Sequence, residues 1–101
     1  MKGLYYKIKA KTGMSIPEIR RTAMKTATTA AKKLIEEVLG PETKRPGEAW
    51  FEALRLVLPV FWGIVKRKLE IPSVEEVLAE VKRKYPDYAE RIKKAYTLVT
   101  A

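Results

Sequence analysis

The stretch SIPEIRRTAMKTATTAAKKLIEEVLG, residues 15 to 40, decides the fold. Ser15 to Glu18 reads Ser-x-x-Glu, a capping box in which each residue satisfies a backbone N–H left over at a helix start. Met14 and Ile19 stand where a hydrophobic staple would close over that cap. Pro17 falls in the first turn, where its missing N–H does no harm. Gly40-Pro41 is a stop signal. The punctuation predicts one unbroken helix over 16 to 39, about 36 Å long at ~1.5 Å per residue. Ile16, Ile19, Ala23, Ala27, Ala30, Leu34 and Val38 recur at helical spacing and form its apolar stripe, widened by Met24, Ala31 and Ile35, with Arg21, Lys25, Thr29, Lys32 and Glu36 opposite.

Working outward, residues 40 to 47 are a turn rich in Gly and Pro, and a second helical stretch covers about 48 to 69. From Leu54 to Val65 that stretch is apolar almost all round, and Pro59 inside it predicts a kink or break. Ser73 to Glu76 is another capping box opening a helix over about 74 to 84, and Asp87 to Glu90 opens a last one over about 88 to 99. The core-facing sets are Val74, Val77, Leu78 and Val81, then Tyr88, Ile92, Tyr96 and Val99. Toward the N-terminus, Leu4, Tyr6, Ile8 and Ala10 alternate with Tyr5, Lys7, Lys9 and Lys11. Period two predicts an extended arm with one apolar and one basic face. The expected fold is all-α, four to five helices in one domain. Residues 1–14 form the extended basic arm, 15–40 a long basic amphipathic first helix, and 46–101 a packing region around a Pro-kinked apolar second helix.

The composition excludes much. The 101 residues include no Cys, His, Asn or Gln, and two Ser that are both spoken for as helix caps. Disulfides, thiolate and imidazole metal sites and nucleophile–His pairs are therefore absent. Glu36–Glu37 and Glu75–Glu76 are adjacent pairs, about 100° apart on a helix and poorly placed to share a metal. With no Gly-rich phosphate loop either, the sequence predicts a binding protein without cofactor, metal or small-molecule substrate, and no enzyme. The missing amides and abundant Lys and Glu fit a hyperthermophile's surface, a pattern a designed protein could share. The first apolar residues are interrupted at Lys7, so no signal-peptide core is visible. The longest uncharged run, Leu56 to Val65, is about half of the ~20 residues a transmembrane helix needs. The expectation is a virion or cytoplasmic protein associated with DNA, with membrane contact only as an outer envelope.

Charge is the most informative feature. There are 21 Lys and Arg against 12 Asp and Glu, a net charge of +9. Residues 1 to 33 hold nine bases and one acid, and residues 34 to 101 hold twelve and eleven. The excess therefore sits in the first third, as in a segment that meets a polyanion. The candidate nucleic-acid contacts are Lys7, Lys9, Lys11, Arg20, Arg21, Lys25, Thr28, Thr29, Lys32 and Lys33. Short Thr and Ala side chains would let a phosphate backbone come close, with Thr hydroxyls as donors. Eight engaged phosphates would give a log–log salt slope of about −7. Lys66-Arg67-Lys68 and Lys82-Arg83-Lys84 lie near helix ends, where cations complement the helix dipole. The apolar second helix exceeds what one thin domain covers, so Trp50, Phe51, Phe61 and Trp62 are the expected contacts with a second copy or a related subunit.

In layout, a basic N-terminal third and an apolar helical remainder, the chain resembles the coat proteins of filamentous and rod-shaped archaeal DNA viruses. The residues carrying the resemblance are Lys7, Lys9, Lys11, Arg20, Arg21, Lys25, Lys32 and Lys33, then the helix around Pro59. It implies an arm that wraps double-stranded DNA, usually in A-form, and C-terminal helices that pack into a shell of many copies. The alternating segment 4 to 11 departs from that family's all-helical arm. That segment, followed by a capped helix, is similar to ribbon–helix–helix repressors, which would make the chain a DNA-binding regulator. The first helix here runs far longer than theirs. A helical protein-interaction module is the remaining alternative.

Overall fold

The computed structural model describes residues 2–100, with side chains over residues 3–97. It contains five helices: α1 (Lys2–Thr12), α2 (Ile16–Leu39), α3 (Glu48–Lys68), α4 (Val74–Lys84) and α5 (Tyr88–Thr100). There is no strand among the described residues. The fold is all-α, as the periodicity of residues 15 to 100 predicts. Val99, expected on the packing face of α5, lies outside the residues whose side chains are described.

α2 begins where its punctuation says. Ser15 Oγ accepts from the Glu18 N–H at 3.3 Å, and Glu18 Oε1 accepts from the Ser15 N–H at 3.3 Å. At the other end the Gly40 N–H donates to the Glu36 carbonyl, and Gly40 has φ +101°. At Ser73 only half of the expected box forms. Ser73 Oγ accepts from the Glu76 N–H at 3.1 Å, but the Glu76 carboxylate is drawn away to Lys68 at the end of α3. A full charge attracts it more strongly than a second backbone N–H.

The core is a continuous apolar cluster. Ile19, Ala23, Ala27, Ala30, Ala31, Leu34 and Ile35 of α2 meet Ala49, Ala53, Leu56, Val57, Val60, Phe61, Ile64 and Val65 of α3. Val77, Val81 and Ile92 complete it from α4 and α5, and Ile8 from α1. α3 is the central element, packed on α2, α4 and α5. The alanines of α2 bring the two long helices close, because short side chains leave little between their axes. The body measures 48 × 24 × 20 Å with a radius of gyration of 14.7 Å, against about 13 Å for a compact chain of this length. This elongation keeps the outer faces of α2 and α3 at the surface.

Three expectations need correction. The arm is not extended: residues 2 to 12 are helical. Leu4, Tyr5 and Ile8 are spaced for a helix as well as four of the residues are spaced for a strand. The helix prevails because it closes its own backbone hydrogen bonds, whereas a lone strand leaves them open. Gly13, at φ +79° with its N–H on the Lys9 carbonyl 2.8 Å away, ends it. Without a strand, the comparison with ribbon–helix–helix repressors loses its basis. Second, of the kink or break expected at Pro59 the break does not occur, since α3 is continuous through it. Pro59 and Arg55 are both exposed, so the carbonyl left without its helical donor belongs to the solvent side of α3 rather than to the core side. Third, Phe61 is 0% exposed within its own chain and is not available to a partner.

Candidate nucleic-acid interface

α2 sets out its basic residues in two groups. At about 100° per residue, Arg21, Lys25, Thr28 and Lys32 fall within an arc of roughly 60° and make one exposed stripe about 16 Å long. The stripe faces away from the buried Ala and Leu positions. Arg20 and Lys33 are also exposed but stand about 110° to either side of its centre. From Arg20 to Lys33 the helix carries no acid. None of these five cations has an ion-pair partner among the described residues.

The threonines divide likewise. Thr28 lies in the basic stripe, but its hydroxyl donates to the Met24 carbonyl at 2.8 Å, with the Lys25 carbonyl 3.2 Å away. Its proton is therefore engaged, and toward a phosphate it supplies small size rather than a donor. Thr29 joins Thr22, Thr26 and Lys33 on a different, half-buried flank except for the exposed Lys33. The small-residue run serves packing along that flank as much as the outer face.

Helical winding separates the three lysines of α1. Lys7 and Lys11 are one turn apart on the same side, and Lys9 projects about 160° from both, on the far flank of the helix. Lys11 is engaged: its Nζ donates to the Lys68 carbonyl at the end of α3 and lies 4.0 Å from Glu70. It serves as a cap on α3, the role cations take at a helix C-terminus. Lys7 lines a hollow of about 350 Å³ with Gly3, Leu4, Lys66 and Leu69.

Of the ten bases on α3 to α5, six are tied to acids or rings, while Lys66, Arg67, Lys93 and Lys94 are exposed without an ion pair among the described residues. Lys82 donates to Glu37 at 2.8 Å and lies over the Tyr88 ring, Arg83 pairs with Glu80, and Lys84 lies over Tyr85. The hydrogen bond from Glu37 raises the Lys82 pKa above the ordinary lysine value, and Arg83 lowers the Glu80 carboxyl. Lys68 pairs with Glu76, Arg55 with Glu52 at 3.2 Å, and Arg91 with Asp87 at 3.0 Å. The Asp87 carboxylate thus meets Arg91.

The expected interface aromatics separate too. Phe61 is core, Trp50 and Trp62 are half-buried against that core, and Phe51 is 54% exposed. Leu58, 38% exposed, lies two turns on along the same face, and an apolar run hides in sequence which of its members face outward. Among the described residues no group of three or more Asp and Glu gathers into a metal-ligating set. No helix among them is long and apolar enough to cross a membrane. The chain matches no protein-family model, no curated protein and no solved structure.

Proposed function

We propose that this chain binds double-stranded nucleic acid, DNA first, through phosphate contacts on the outer face of α2, and coats it in many copies without sequence specificity. The observation that carries the reading is the stripe of Arg21, Lys25 and Lys32: exposed, unpaired among the described residues, and uninterrupted by any acid. Phosphate contacts position a protein on a duplex but do not read bases. The absence of Asn and Gln removes the side chains that read adenine edges. Repeated along a duplex, the chain acts as a nucleocapsid subunit, in keeping with the coat-protein layout of its sequence.

The test is the salt dependence of duplex binding. Three stripe contacts give a log–log slope of about −3, and Arg20, Lys33, Lys7 and Lys9 steepen it only where the duplex bends around α2. Random duplexes bind with comparable affinity. A salt-independent affinity, or a preference of ~10³ or more for one sequence, refutes the reading.

A further inference from the structure

We infer that the outer face of α3 pairs with the same face of a second copy of this chain, antiparallel, about a two-fold axis near residues 56 and 57. This rests on the self-association half of the proposed function and not on its nucleic-acid half.

Four residues of α3, the exposed Glu48, Phe51 and Lys66 and the half-buried Trp62, form a pattern that is complementary to itself when reversed. Glu48 in the first turn and Lys66 in the last are 18 residues apart, five full turns, so they point the same way about 27 Å apart. Both are exposed, and neither has an ion-pair partner among the described residues. Between them, Phe51 and Trp62 are three turns apart and about 20° out of line, with Leu58 alongside.

An isologous contact requires that if one residue meets a second, the second meets the first. The midpoint of Glu48 and Lys66 is residue 57, and that of Phe51 and Trp62 falls between 56 and 57. One axis therefore satisfies both pairs. Glu48 meets Lys66 of the second copy, twice by symmetry. Phe51 meets Trp62 of the second copy, also twice, and the Leu58 side chains meet near the axis. Each aromatic stays on the same side of the contact, because the two-fold axis lies across the helices and preserves that side.

Charge selects the direction. Parallel pairing would stack Glu48 on Glu48 and Lys66 on Lys66, and like charges placed together disfavour a contact. Antiparallel pairing makes both ends attractive, and Lys7, in the hollow it shares with Lys66, adds a second cation there. Pro59 and Gly63 carry no long side chain on this face, and nothing lies within 4 Å of a Cβ placed on Gly63. Arg55, exposed in the same arc, stands between the two helices as a long side chain near the axis, its charge held by Glu52 of its own chain at 3.2 Å.

The experiment is sedimentation velocity of the full chain at low salt, without nucleic acid, over a range of concentrations. The expected result is a dimer whose dissociation constant rises about tenfold or more in Glu48→Lys and in Lys66→Glu, and returns close to the starting value in the double variant. Phe51→Ala weakens the dimer without unfolding the chain, since that ring is more than half exposed. Circular dichroism confirms that each variant is folded. A sedimentation coefficient that stays at the monomer value at every concentration overturns the inference. So does self-association that ignores the single reversals or is not rescued by the double one. Because the duplex salt slope depends on α2, its loss with dimerisation intact overturns the duplex reading alone.

Discussion

Tyr5 of α1 meets Trp62 of α3 edge to face, with ring centroids 6.3 Å apart and planes at 78°. Trp62 meets Phe61 in the same way at 5.1 Å and 85°. The three rings form a ladder from the surface helix into the core, and α1 is docked through it and through Ile8. An extended arm would instead have placed Tyr6 with Leu4 and Ile8 on the packing face and turned Tyr5 outward. Tyr5→Ala is expected to cost roughly 1–3 kcal/mol, from the ring contact and the area it covers, and Tyr6→Ala about zero, since Tyr6 is 61% exposed. Urea unfolding of the two variants checks this, and the opposite order would restore the extended arm.

Pro59 and Gly63 weaken α3 as a helix without packing against anything that requires them. Gly63→Ala should raise stability by about 0.5–1 kcal/mol, since a Cβ there meets nothing within 4 Å. Pro59→Ala, which restores the N–H to the Arg55 carbonyl, should add about 1–3 kcal/mol. Thermal unfolding under conditions where the chain is monomeric reads both. A loss in either variant would mean that the helix is held in a bent form by its neighbours.

Lys82 and Glu37 join α4 to α2 at 2.8 Å, with side chains 40% and 44% exposed. At that exposure the pair contributes less than about 1 kcal/mol. The sign follows from the raised Lys82 pKa. The folded state holds that proton more tightly than the unfolded one. The stabilisation is complete below the ordinary lysine value and disappears as pH rises through the raised one. The stability difference between the native chain and Glu37→Gln should therefore be constant from neutral pH to about pH 9 and close in more alkaline solution. A difference that persists there would assign the effect to packing.

On a duplex, the stripe and the flanks should separate. Replacing Arg21, Lys25 and Lys32 with Ala is expected to reduce the log–log salt slope by about three. Replacing Arg20 and Lys33, which point away on opposite sides, should reduce it by less than one on a short straight duplex. Equal effects per residue would mean that the duplex wraps α2 rather than lying along one face.

Capping and stop signals placed the later helices well, since they act within a few residues of chain. Ser15 with Glu18, Gly40, and Ser73 each do their work locally, so α2 and α4 are readable without knowing the fold. The charge asymmetry was equally legible, and the exposed stripe on α2 was legible in part, since the sequence reading places Arg21, Lys25 and Lys32 on the outer side but groups Arg20, Thr29 and Lys33 with them. The state of residues 2 to 12 was not. Their apolar spacing suits either period, and the choice rests on what Tyr5 and Ile8 pack against. Gly13 was the local signal that could have indicated a helix end.

By itself, the sequence determined an all-α chain, the limits of its long helices and the concentration of excess basic charge in its first third. Those follow from hydrogen bonds and spacings within single segments. Only the tertiary structure decided that Lys11 caps α3, that Phe61 is core while Phe51 faces outward, and that Glu48 and Lys66 flank one exposed apolar face. An apolar residue buries against whichever partner reaches it, and a charge pairs with the nearest opposite one. Both outcomes depend on how distant segments are brought together.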